Sequence, residues 1–455
     1  MRSIGGVRTV TGATVALAVA ASAWVGVATA AAADGPVVPA GKNHRLSVTS
    51  GGVQGNDYSA PETGHNGMSA DGRFVVYTSE ASNLTPHDTN GARDVFLRDR
   101  RTGTTKRESW TSREEQANLG SGDTAVVSDD GRFVAFTSES TNLAPHETNG
   151  WPDVFIRDRQ KGVTRRVSLD SREVPANAES ELSAISSGGR FVLFTSPASN
   201  LAAHDTNRSP DVFLRDRMAG TTRLVSVGRD GASAQGASVA VALSPQGRYV
   251  VFESAAANLV RGDTNRTSDF FVLDRRTGTT RRVSVDSHGR QGGENGSAVV
   301  PYGAISANGR YVVFSSNQSG LVDGDTNGDF DVFVRDRRNG TTQLVSVGGD
   351  GARADGDSFG TGISANGHFV VFQTLATNLL SGPGSAGQVM MRDRFAEDTW
   401  PVSVSPRLVL GDATSRRGLL SADGHRVVYD STSTNIVVHD VNGAPDVFSR
   451  DLHLR

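Results

Sequence analysis

The chain has 455 residues, no cysteine, and 46 basic residues against 49 acidic ones, for a formal net charge of −3. Without cysteine there is no disulfide and no lipid-modified cysteine, so stability has to come from a large buried core or from bound ions. Near-neutral charge, with both signs interleaved along the chain, gives no electrostatic case for nucleic acid or an anionic membrane as a partner.

In chain order, residues 1–33 read first as a secretory signal peptide. Arg2 and Arg8 precede an apolar, alanine-rich stretch from Val10 to Val27, and Ala28-Thr29-Ala30 offers small residues for cleavage near 30–33. The stretch is too rich in alanine, and too interrupted by threonine, for the strongly apolar run of about 20 residues that a stable span needs. The mature protein is therefore expected to be secreted, extracellular, free of any membrane span and monomeric. Residues 34–44 read as a short linker and 45–455 as one domain.

That domain is built from repeats. A strand-like "VFLRDR" motif places its aspartate at Asp99, Asp158, Asp216, Asp274, Asp336, Asp393 and Asp451, and the glycine of "SADGR" falls at Gly72, Gly131, Gly189, Gly247, Gly309, Gly367 and Gly424. Both markers recur at intervals of 57 to 62 residues, so two independent rulers give one period. Each unit reads as four short strands, patterned as "GAIS", "RFVVYTS", "DVFLRDR" and "TRLVSV" and separated by Gly, Asn, Asp and Ser turns. Arg45-Leu46-Ser47-Val48 looks like an orphan fourth strand, while the chain stops at Arg455 just after a third. The predicted fold is all-β: a seven-bladed β-propeller of four-stranded antiparallel blades, closed by an amino-terminal strand that completes the last blade and leaves no open sheet edge. The motifs "SADGRFVVYTS", "SANGRYVVFSS" and "DVFVRDR" resemble the WD40-like propeller repeat of TolB-type proteins. The resemblance covers essentially the whole mature chain and implies a propeller with a protein-binding or scaffold role.

Six of the seven units carry an acidic loop before the third strand. Asx-turns with a glycine at positive φ account for most of these residues. The fifth unit, Asp323-Gly-Asp325-Thr-Asn327-Gly328-Asp329-Phe-Asp331, goes further and resembles the calcium loops of integrin-type propellers. Oxygen side chains at Asp323, Asp325, Asn327 and Asp331, with glycine at the bend, are what a hard cation requiring six to eight oxygens calls for. The loops with Asp88, Asn90 and Asp94, and with Asp440, Asn442 and Asp446, keep three of these ligands. Calcium is the one cofactor the sequence points to, and the sixth loop, Ser381 to Gln388, is expected to bind none.

The Arg-Asp-Arg triplet of each third strand reads as cross-strand or blade-to-blade ion pairing, because a need repeated in every blade demands the same residue each time. No catalytic motif stands out. Gly356-Asp-Ser358-Phe-Gly360 matches a nucleophile elbow in spelling, but it lies between two propeller strands where that elbow needs a strand and a helix. His87, His146, His204 and His439 share one turn position, and Trp110, Trp151 and Trp400 stand at non-equivalent places. The expected function is an interaction scaffold binding a protein, peptide or glycan through one face or the central channel. The alternative is an extracellular carbohydrate-active enzyme, hydrolase or lyase, using loop carboxylates.

Overall fold

The computed structural model describes residues 38–61, 67–145, 150–293, 303–379 and 387–454. The predicted signal peptide, His146, Glu147 and most of the sixth acidic loop lie outside the described residues. Among the described residues no helix is long and apolar enough to cross a membrane.

The strands form seven antiparallel sheets of four. Blade 1 comprises Ser59–Ala60, Phe74–Ser79, Asp94–Asp99 and Thr104–Arg107, and the same order repeats through blade 6, which ends with Gln388–Asp393 and Asp398–Pro401. Blade 7 takes Ser415–Leu420, Arg426–Ser431 and Asp446–Leu452 from the end of the chain and Gly41–Arg45 from its beginning, with Gly41 opposite Leu452 and Arg45 opposite Phe448. The closing strand thus starts four residues earlier than its sequence likeness indicates, inside the segment expected to be linker. Arg450 explains the extension: its buried guanidinium donates to the Pro39 carbonyl and to Asn43 Oδ1, both at 3.0 Å, and so holds the backbone against the sheet.

Seven apolar clusters stabilise the ring, each formed where two neighbouring blades face one another. Val76, Val95 and Leu97 of blade 1 meet Ala125, Val134 and Phe136 of blade 2, and Val428 and Val447 of blade 7 meet Val75 and Phe96 of blade 1. Both faces of each sheet are therefore buried, which is why the central strands are continuous Val, Phe and Tyr runs without polar alternation. The turn glycine of "SADGR" meets two demands at once. Gly131, at φ 70°, sits so close to the Phe74 ring of the preceding blade that a Cβ would stand 2.0 Å from it. Gly189, Gly247, Gly309, Gly367 and Gly424 are covered in the same way by Phe133, Phe191, Tyr249, Tyr311 and Phe369.

The Arg-Asp-Arg triplets tie the blades together. Asp99 receives a two-pronged bond from Arg73 of its own blade, at 2.9 and 2.6 Å, while Arg100 reaches Asp451 of blade 7 at 2.8 Å. Arg98 donates to Thr49 O in the connection that precedes blade 1. Cross-strand and blade-to-blade pairing both occur, from consecutive residues at the end of one strand.

Candidate functional site

Strand direction sorts the loops onto two faces. One face carries the turns joining strands 1 to 2 and 3 to 4; the other carries the acidic loops and the long connections from each fourth strand to the next blade. On the first face the axis is closed by backbone. Ala70 donates to the carbonyl of Asp129, Asp129 to Ser187 and Ser187 to Pro245, at 3.3, 3.1 and 2.8 Å. Ala307 donates to Ala365, Ala365 to Ala422 and Ala422 to Ala70, at 3.0, 2.8 and 3.2 Å. The series is interrupted only where Pro245 has no N–H to give. Beneath these turns lies a cavity of about 100 Å³, lined largely by Ala, Leu and Ile side chains such as Leu243, Ile305 and Leu420.

The opposite face carries the residues singled out as metal ligands, and its described acidic loops are built on one plan. The first residue of the third strand, Asp94, Asp153, Asp211, Asp269, Asp331 or Asp446, is buried. Its Oδ1 accepts from the serine two residues past the fourth strand: Ser109, Ser168, Ser226, Ser284, Ser346 and Ser47 each donate at 2.5 Å. In blades 1, 3, 4, 5 and 7 the loop carboxylate six residues upstream lies close enough to act on it electrostatically. In the loops around Asp88 and Asp440 the cation between the carboxylates is the chain's own. Arg107 stands 2.8 Å from Asp88 and 3.5 Å from Asp94, and Arg45 stands 3.2 Å from Asp440 and 3.4 Å from Asp446. Arg282 does the same for Asp263 and Asp269 at 3.3 and 3.5 Å, and Arg166 lies 3.5 Å from Asp153. These contacts are ion pairs rather than well-aligned hydrogen bonds, since no nitrogen of Arg107 meets hydrogen-bond geometry. Gln116 and Gln54 add amide donors to the slots of blades 1 and 7.

The asparagines expected to offer oxygen to a metal turn the other way. Asn90, Asn327 and Asn442 direct their amide nitrogen toward the strand carboxylate, at 3.3, 3.5 and 3.4 Å. Their Oδ1 atoms instead accept from Ala92, Asp329 and Ala444 N–H, closing Asx-turns. In blade 5 the structure brings Asp325 to Asp331 and leaves the Asp323 side chain exposed; Arg353 from the following connection donates to the Asp323 carbonyl. Burial pushes the Asp331 carboxyl up to about 6, against the bond from Ser346, with the Asp325 charge adding to the rise. Burial likewise takes Asp446 to about 6, opposed by Ser47 and Arg45. Among the described residues no three His, Asp or Glu side chains converge as metal ligands.

The remaining sequence candidates fall into structural roles. Ser358 is fully buried and shares a 2.8 Å hydrogen bond with Thr374, as Ser238 does with Ser254 and Ser415 with Ser431. His87 and His439 adopt φ of 61° and 59° at the position held by Gly262 and Gly324 in blades 4 and 5. Trp400 is buried against Phe369, whereas Trp151 is 51% exposed on the acidic-loop face.

No family model and no curated protein matches the chain. Among solved structures it resembles an oligogalacturonate lyase in complex with manganese, with a TM-score of 0.54 at 10% identity over 91% of this chain and 97% of that one. An oligogalacturonate lyase from Vibrio parahaemolyticus gives 0.53 at 12%, over 92% and 98%. TolB from Acinetobacter baumannii gives 0.39 at 12%, over 84% and 81%. The likeness is one of fold. At such identities it assigns no residue a role.

Sequence reasoning missed the arginines of the slots. The signal was present: Arg107, Arg166, Arg282 and Arg45 occupy one fourth-strand position, which Leu224, Leu344 and Pro401 fill in blades 3, 5 and 6. Blade 6, with neutral Gln388 in place of the aspartate, has lost acid and base together.

Proposed function

We propose that the chain is an exported interaction scaffold that holds a protein or peptide partner on the face of its acidic loops and interblade connections. One observation carries this reading. Among the described residues, nine of the eleven large apolar side chains that stand exposed lie on that face: Val53, Leu119, Trp151, Val174, Leu375, Leu408, Val409, Val438 and Val441. The other two, Met218 and Phe395, lie on the opposite face. Exposed apolar groups gathered on one side mark association surfaces, whereas singly scattered ones carry no such meaning. The set is aliphatic apart from Trp151, which fits a protein surface better than a sugar, since sugars stack on aromatic rings.

The loop that carries Val441 is tied there to the connection that carries Val53. Gln54, next to Val53, bonds Asp440 through its amide and accepts from Val441 N–H. The test is capture of cell-surface and culture-supernatant proteins by the immobilised chain and two double variants. Val438→Asp with Val441→Asp is expected to abolish capture, and Met218→Asp with Phe395→Asp to preserve it, both at unchanged thermal midpoints. Capture that survives the first pair would overturn the reading. So would release of unsaturated sugars from an oligogalacturonate panel by the purified chain, which would replace it with a lyase.

A further inference from the structure

The six acidic slots differ in what balances them. Five hold or adjoin a guanidinium: Arg107, Arg166, Arg282 and Arg45 from the fourth strand, and in blade 5 Arg353, whose charge acts on both Asp325 and Asp331. The slot of blade 3 has none. Leu224 occupies the fourth-strand position and turns into the apolar cluster between blades 2 and 3. Ser233 stands where Arg353 stands in blade 5, opposite Val227 as Arg353 is opposite Val347. Arg208, the nearest arginine along the loop, is exposed, with its backbone at φ 59°.

The two carboxylates nevertheless remain. Asp205 is 8% exposed and Asp211 fully buried, and the Oδ2 of each is buried without a hydrogen-bond partner. Asn207 donates to the Ala234 carbonyl at 2.6 Å, as Asn90, Asn327 and Asn442 donate to the equivalent carbonyls, and its neutral amide, which also favours the charged form of Asp211, supplies no cation. Two buried oxygens of like charge, aimed into a slot that a cation fills in the sister blades, are costly to leave unbalanced. A hard divalent ion supplies what the slot lacks, and the loop edge at exposed His204 and Thr206 admits the waters that complete its coordination. We propose that the slot between Asp205 and Asp211 binds calcium in the place that guanidinium occupies in blades 1, 2, 4 and 7.

The test is thermal unfolding of the chelator-treated full chain at pH 7.5, without and with 10 mM calcium chloride as the probe. A site with the millimolar or tighter affinity usual for extracellular modules is expected to raise the midpoint by roughly 2–4 °C. Asp205→Asn is expected to abolish that rise. Leu224→Arg, which restores the sister-blade cation, is expected to abolish it too, with a calcium-free midpoint at or above that of the loaded parent. Asp325→Asn, in the slot of blade 5, is expected to leave the rise intact. A parent midpoint that calcium does not move, a rise that persists in Asp205→Asn, or one lost in Asp325→Asn each overturns the assignment. Should Leu224→Arg fail to fold, Asp205→Asn alone decides.

Discussion

Gly247 joins a left-handed backbone, φ 71°, to a ring contact in which an added Cβ would stand 2.3 Å from Phe191. Gly247→Ala must therefore strain the turn and displace a neighbouring blade's aromatic, and is expected to cost about 3 kcal/mol in urea unfolding. Gly443→Ala shares the positive φ, 67°, but meets nothing within 4 Å, and is expected to cost only about 1 kcal/mol. Equal costs at the two sites would show that the ring contact contributes nothing. Such glycines were legible in the sequence because every blade repeats the demand. The partner of Asp446 was not: Arg45 lies some 400 positions away, and its place among the fourth-strand arginines emerges only once the register with Phe448 is known.

Among elements, the third strand with its ion pairs sets the response to acid. Asp99, Asp158, Asp216 and Asp274 are each held below the usual carboxylate range, chiefly by the arginine bonded to them, Arg73, Arg132, Arg190 and Arg248. A carboxylate depressed in the native state contributes stability above its unfolded value, near 3.9, and that contribution is lost as pH falls toward the native value. The urea midpoint is thus expected to drop steeply between pH 4 and 2, with proton uptake on unfolding; a flat profile there would show the pairs to be idle. The fourth strand carries a second prediction. Arg107→Leu leaves Asp88 and Asp94 buried without their cation, at a cost of about 3–5 kcal/mol. Adding Asp94→Gln reproduces the neutral chemistry of blade 6 at Gln388 and should recover much of that loss. The acidic loops themselves could be read from spacing, whereas the direction of the Asn90 and Asn442 amides could not, because an Asx-turn and a metal loop share the same spelling.

For the molecule as a whole, the blade count and the orphan strand at one end were readable from periodicity alone, since one omitted strand at the carboxyl end needs one spare at the amino end. Removing residues 36–45 exposes the long edge of Asp446–Leu452 and deprives Arg450 of both acceptors. The truncated chain is expected to lose its single sharp thermal transition and to associate through that edge, measured by calorimetry and light scattering. What periodicity could not reveal is how the axis is sealed, because the inner turns at Ala70, Asp129, Ser187, Ala307, Ala365 and Ala422 are joined by atoms that no side-chain motif announces. Their linkage is purely main chain.

That linkage has a beginning and an end. Peptide dipoles aligned head to tail reinforce one another, and here the series runs from Ala307 around to Pro245 and goes no further. The collar is a clasp rather than a hoop, with its gap at the joint between blades 4 and 5, far in sequence from the interlocked termini. Any widening of the aperture, under heat or under the push of a docked partner, meets least resistance at that joint, and the fastest amide exchange of the collar belongs at Ala307.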